Sequence, residues 1–373
     1  SPIDDPQLPL PTEQLVPIAL GGAMQDEQQV TRSGDGIPLE DITTTFTVYG
    51  FKNMSHDETN GYTDPQLVFP GYTVKWADNT AATSTTNSNG WEYVNQQALG
   101  KEEQTIKYWD WAAEAYRFFA VAGATGTNEV KGVYETPEIY KVTYKADANK
   151  VNDTPYYSHL WFSTGKPNYP TFGQPVQLEF IKPLSKVRII FIFEEYDGPA
   201  VIPASETSTA YACATSTELT DISFSPTNGN TIKLKGDVTV RYPLTGADAT
   251  ETFEATAEAE GITAFTQDYF EETTKEIESD EYNYYPYKNA GENGPKEYTV
   301  LPVTGQGTYT LLVNVDGEPK STIVPAEYMN WKPGYLYTYI FKVHADQGVS
   351  ISSVQSAFTE WRIHEANHTV YNW

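Results

Sequence analysis

One stretch limits the folds open to this chain more than any other. Residues 335–343 read Tyr-Leu-Tyr-Thr-Tyr-Ile-Phe-Lys-Val. In an extended backbone Tyr335, Tyr337, Tyr339, Phe341 and Val343 share one face, while Leu336 and Ile340 lie on the other. Apolar residues on both faces mark a strand covered on both sides, so this one belongs in the middle of a packed sheet. Pro333-Gly334 supplies the turn chemistry that starts it, and His344 to Gly348 bridges to a second strand, Val349 to Trp361. The tail beyond, Arg362 to Trp373, is β-capable near its end and has no evident partner strand in its own domain.

The rest of the chain supports a sheet protein. Its 373 residues include 27 Tyr, 16 Phe and 8 Trp against only 3 Met, a bias toward residues that fit a pleated surface. That length suggests two domains, each able to bury a core. In chain order the strand-like segments include 42–49, 105–109, 115–121, 139–144, 158–163, 176–180, 187–193 and 219–224. A second set follows at 238–242, 252–257, 298–303, 309–315 and 320–324, with Asp316-Gly317 as hairpin chemistry between its last two members. Gly50 is expected to end the first strand, and Pro70-Gly71 to turn a hairpin within 67–76. About seven short strands per half with little helix imply an all-β chain of two β-sandwiches in tandem. The expected divisions are an N-terminal spacer at 1–32, sandwiches at 33–228 and 229–361, and the tail at 362–373.

Charge and motifs remove several functions. Fifty acidic and 24 basic residues give 24 − 50 = −26, a field that opposes nucleic acid and anionic lipid. The lone Cys213 excludes an internal disulfide and a thiolate zinc cluster. No phosphate loop, nucleophile elbow or zinc-protease motif is present. His364 and His368 share a face only on a helix, and the tail reads as extended. The acidic run 276–281 lacks the spacing of a calcium loop. No catalytic, metal or cofactor residues are therefore assigned. The aromatic clusters Tyr108 to Trp111 and Tyr282 to Tyr287 are core candidates that could also stack on sugar rings, with Trp109 and Trp111 the residues to test.

The N-terminal 36 residues are rich in Pro, Gln, Asp and Gly, with one β-capable island, Leu15 to Leu20. Arg32 is the only basic residue before Lys52 and stands in a polar stretch of the kind proteases cut. The chain opens at Ser1 without Met, as expected if an export signal has been removed.

Several pieces together resemble the fimbrillin family of Bacteroidales surface proteins, subunits of the type V pilus. They are Thr31-Arg32, Phe46-Thr-Val-Tyr-Gly50, Gln104-Thr-Ile-Lys-Tyr-Trp-Asp-Trp111, Pro183-Leu-Ser-Lys-Val-Arg-Ile189, Trp331 to Val343, and the C-terminus through Trp361 to Trp373. The resemblance implies two transthyretin-like Greek-key sandwiches, no enzymatic activity, and export as an outer-membrane lipoprotein with its lipid on a residue preceding Ser1. It implies that an Arg-specific surface protease cuts after Arg32 and removes the first strand, here Leu15, Val16, Ile18 and Leu20. A strand of the next subunit then fills the groove, and on this chain the donor would come from Ile363, Val370, Tyr371 and Trp373. The partners implied are other pilin subunits, as a homopolymer or with tip and anchor proteins, and the role is adhesion. A non-polymerising tip or anchor pilin, and a surface glycan-binding lipoprotein of the same build, remain as alternatives.

Overall fold

The computed structural model describes residues 15–24, 39–41, 43–77, 90–96, 103–123, 130–151, 156–163, 170–193, 218–247, 251–258, 260–267, 296–344, 346–358 and 371–372. Among these the architecture is all-β, with two short 3-10 turns and no α-helix. The first strands are β1 (Leu20–Met24), β2 (Thr45–Asp57), β3 (Gly61–Trp76), β4 (Trp91–Glu92), β5 (Ala115–Ala122), β6 (Lys131–Thr136), β7 (Ile139–Asp147), β8 (Tyr156–Ser163) and β9 (Val176–Phe180). Then come β10 (Ser185–Phe193), β11 (Leu219–Pro226), β12 (Ile232–Lys233), β13 (Lys235–Pro243), β14 (Thr252–Ala257), β15 (Gly261–Ile262) and β16 (Phe265–Gln267). The last are β17 (Tyr298–Val300), β18 (Tyr309–Val315), β19 (Glu318–Val324), β20 (Tyr335–Val343), β21 (Val349–Phe358) and β22 (Tyr371–Asn372).

The chain forms two compact units that exchange segments. Unit 1 holds residues 1–144, 153–181 and 239–253, and unit 2 holds 145–152, 182–238 and 254–373. A break at 229 thus falls inside unit 2, and the chain returns to unit 1 after it.

Unit 1 is organised around a sheet of order β4-β3-β2-β5-β8. All eight residues of β5 are buried, because both its faces are covered. On one face Tyr49, Phe51 and Phe119 meet Tyr140 and Tyr242, whose strands belong to the sheet β14-β13-β7-β6. On the other face Phe46 packs edge-on to Phe180 of β9, and Tyr116 and Phe118 surround Trp109. Residues 239–253 complete this unit. Asn53 Nδ2 donates to Leu244 O at 2.8 Å, and Tyr62 and Gly246 exchange backbone hydrogen bonds of 3.0 and 2.9 Å. Leu244 N donates to Glu138 O at 2.8 Å, and the buried Arg117 donates through Nη1 to Pro243 O.

Two glycine positions behave differently from the sequence expectation. Gly50 does not end β2 but lies within it, between two shifts of register against β3. A Cβ there would stand 2.7 Å from Phe69 Cδ2, so the missing side chain lets Phe69 pack across the backbone. Pro70-Gly71 likewise does not turn a hairpin. Gly71, at φ +97°, is a bulge inside the continuous β3, and bulges admit both residue types. The turn lies instead at 57–61, where Asp57 Oδ1 accepts from Thr59 N (2.9 Å) and Asn60 N (2.6 Å).

Unit 2 packs the sheet β17-β10-β20-β21-β22 against β16-β11-β18-β19. As the alternation predicts, β20 is internal, parallel to β10 on one side and antiparallel to β21 on the other. Tyr337, Tyr339, Phe341 and Val343 enter the core with Phe224, Leu311, Val313 and Trp331, while Leu336, Thr338 and Ile340 are buried on the opposite face. The polar ends of the aromatics are matched. Trp331 Nε1 donates to Tyr339 Oη at 2.9 Å, and that hydroxyl donates to Tyr328 O at 2.6 Å.

The Gly61–Gly246 approach is a test of how unit 1 is closed. Gly61 has φ +70°, and a Cβ on it would stand 2.5 Å from the Gly246 carbonyl carbon. Gly61→Ala is expected to cost more than the roughly 1–3 kcal/mol of a strained backbone alone, seen as a fall in the denaturation midpoint. Gly305→Ala, at φ +72° with nothing within 4 Å, should cost about 1 kcal/mol. Equal effects at the two positions would show that the approach carries no weight.

Candidate functional site

The described part of the N-terminal segment lies in a strand-shaped slot in unit 1. On one side it runs against residues 107–109: Ile18 N donates to Lys107 O at 2.8 Å and Trp109 N to Val16 O at 2.9 Å. These bonds flank the Pro17–Tyr108 antiparallel bridge, so the residue without an N–H sits where none is required. On the other side Val176 N donates to Ala19 O at 2.8 Å. From Leu20 onward β1 pairs in parallel with β9, register Leu20–Val176 to Met24–Phe180. The expected strand at Leu15 to Leu20 is thus shifted: the regular strand is 20–24, and 16–19 form its extended entry. Ile18 and Leu20 are buried, Val16 is half-buried, and Leu15 is 44 % exposed.

Three side chains shape the slot wall. Buried Tyr93 donates to Ile18 O at 2.8 Å, and its hydroxyl accepts from Lys107 N at 3.1 Å. Buried Gln104 clips the same wall to β3, with Oε1 accepting from Thr73 N (2.7 Å) and Nε2 donating to Thr73 O (2.8 Å) and Tyr93 O (2.7 Å). Trp109, 3 % exposed, forms the floor, stacked on Phe172 at 5.6 Å and tilted against Phe162 at 5.3 Å. Burial pushes the Tyr93 phenol up, and pushes that of Tyr116, which accepts from Asp110 N at 2.7 Å, up to about 12. The Lys52 ammonium, 2.8 Å away, holds the Asp110 carboxyl below its usual range.

Of the remaining residues singled out in the sequence, Arg32 lies outside the described residues, as do Ile363, Val370 and Trp373. Tyr371 is placed by its backbone: with Asn372 it pairs antiparallel to β21, Tyr371 opposite Ser356 and Asn372 opposite Gln355. Tyr93, Gln104 and β9 carried no sequence signal for this site, since their partner segment is far away in the chain. No group of three or more His, Cys, Asp or Glu suited to a metal occurs among the described residues. Among them, too, no helix is long and apolar enough to cross a membrane.

Chemically the slot holds a strand. It offers backbone groups on two sides and apolar space for side chains at i and i+2, each worth about 1.5–3 kcal/mol when fully buried. An all-β chain of sandwiched sheets with such a held strand defines the class. No family model and no curated protein matches the sequence. A comparison of structures does find similar chains. One is described as a cell adhesion protein from Bacteroides ovatus, 11% identical, covering 94% of this chain and 99% of that one at a TM-score of 0.39. A fimbrial assembly protein from Parabacteroides distasonis is 11% identical, covering 96% and 99% at 0.29. The fimbrial anchor protein Mfa2 from Porphyromonas gingivalis is 13% identical, covering 94% and 99% at 0.28. By their descriptions these are adhesion and fimbrial proteins.

Two outcomes test the slot. Ile18→Ala should weaken the hold on residues 16–24 by about 2–5 kcal/mol, read as faster amide exchange there with β20 unchanged. A phenol whose folded pKa is raised contributes stability below pH 10, lost as pH climbs toward the folded value. Stability should therefore fall between about pH 10 and 12, and fall less steeply in Tyr116→Phe, by denaturant midpoints across that range.

Proposed function

We propose that the chain is a structural subunit of a surface fimbria, built from two transthyretin-like sandwiches and assembled by strand exchange, with no enzymatic activity. The observation that carries this reading is the way residues 16–24 are held. They complete unit 1 through backbone bonds and the buried Ile18 and Leu20, and Arg32 follows eight residues after Met24. A cut after Arg32 turns a covalent strand into a non-covalent one. Its loss takes the partners from Trp109 N and Val176 N, and leaving such groups buried and unpaired costs about 1–3 kcal/mol each. A replacement strand from another subunit satisfies them.

The donor in this reading is the tail, 362–373. Since Tyr371 and Asn372 pair with β21, the tail must leave that edge before it can enter another copy. A donor tail and an acceptor slot on the same chain form a head-to-tail contact, and such contacts that do not close produce filaments. Export with a lipid ahead of Ser1, exposure at the outer membrane, and other pilin subunits and an Arg-specific protease as partners belong to the same proposal. A tip or anchor subunit would share the slot and lack a free donor.

The test is digestion of the full chain with an Arg-specific protease, followed by sizing under native and denaturing conditions. The expected result is a single cut after Arg32, loss of the N-terminal peptide and a ladder of oligomers, none of which forms from Arg32→Ala. A clean cut that leaves a stable monomer at high concentration would remove the stalk role.

A further inference from the structure

The turn after the slot wall carries an exposed indole that the strand-exchange reading does not use. Trp111 is 52 % exposed, although its neighbour Trp109 is core. The turn that presents it is fixed from several directions. Asp110 Oδ1 accepts from Ala112 N at 2.9 Å, Asp110 Oδ2 meets Lys52 Nζ at 2.8 Å, and Ala113 N donates to Asp110 O at 3.1 Å. Asp110 N is itself tied to the Tyr116 hydroxyl. The indole lies close over Gly173: a Cβ there, at φ +86°, would stand 2.9 Å from Trp111 Cη2. Phe172 supports it from the core side at 6.5 Å between ring centroids. The ring is thus held in place while half of it faces water.

Its surroundings indicate what it receives. The chain beside it offers Asp110 and Lys52, both partly exposed, and the exposed Glu114, Thr171 and Gln174. Among the described residues beside it the exposed apolar ones are the small Ala112 and Pro175, less than the large contiguous apolar area that marks a protein or membrane contact. The flat face of a pyranose matches the indole, setting weakly positive C–H groups on the negative ring face and equatorial hydroxyls toward carboxylate, ammonium and amide. The net charge of −26 repels acidic saccharides. We propose that Trp111, with Asp110, Lys52 and Gln174 at its rim, is a binding platform for neutral hexose polysaccharide. Because the turn is already rigid, little ordering opposes binding, and one stacking site gives weak affinity that repetition along an assembly multiplies.

The experiment is retention of the full chain on immobilised laminarin, yeast mannan and arabinogalactan, with heparin and polysialic acid as acidic comparisons. The expected result is retention by at least one neutral polysaccharide, lowered ten-fold or more by Trp111→Ala and largely kept by Trp111→Phe, with the melting temperature of both unchanged. Gln174→Ala, an exposed change, should weaken retention without touching the ring. The proposal fails if none of the neutral polysaccharides retains the chain, if Trp111→Ala is retained equally, or if the acidic polymers are preferred.

Discussion

The buried backbone groups of a strand need partners, and in unit 1 that requirement decides the architecture. The segment 107–109 and β9 each present one unpaired edge, and the strand that satisfies both comes from the extreme start of the described chain. The bonding is local in space and long in sequence: residue 18 meets 107, and 20 meets 176. Such pairing accounts for the burial of Ile18 and Leu20 in an otherwise polar N-terminal region. It also accounts for Tyr93, which bonds the held strand at Ile18 O, and for Gln104, which ties that wall of the slot to β3. A buried glutamine bonded at both ends to Thr73 acts as a piece of backbone where no strand runs.

The same logic closes unit 1 on its other face. Residues 243–246 meet four separate elements through Asn53, Tyr62, Arg117 and Glu138. The first unit is therefore incomplete until chain beyond 238 is in place. Long-range parallel and returning segments of this kind carry a high loop-closure entropy and slow folding. In unit 2 the parallel β10–β20 pair, some 150 residues apart, imposes the same burden.

What could be inferred from the sequence follows from these facts. Alternation over 335–343 placed β20 correctly because side-chain periodicity is a local property, and 176–180, 252–257 and 309–315 coincide with β9, β14 and β18 for that reason. The all-β class followed from the same pattern. Glycine misled where its role was packing and not turning: Gly50 admits Phe69, and Gly71 bends β3 without ending it. The candidate site was half legible. The apolar island at 15–20 announced a strand, but its bounds and both its partners are tertiary facts. Trp109 and Trp111 look equivalent in the sequence, and it is the packing of Tyr116, Phe118 and Phe162 around Trp109 that separates a core ring from an exposed one.

Strand exchange, as proposed, poses an energetic question that the slot geometry helps answer. The resident strand and an incoming one would make the same class of backbone bonds and fill the same two apolar positions, so exchange between them is close to neutral. While residues 16–24 are covalently joined to the rest of unit 1 they compete at an effective concentration that no second chain matches. Cleavage removes that advantage without altering a single contact in the slot. A donor tail would in turn give up its own pairing, which includes Tyr371 and Asn372 against β21. In that proposal a tail that leaves this edge and fills a whole slot gains several buried hydrogen bonds there. On this proposal the one peptide-bond cleavage relieves the slot of its tethered occupant, and assembly goes forward where the bonds a donor makes in the slot outweigh the pairing it leaves.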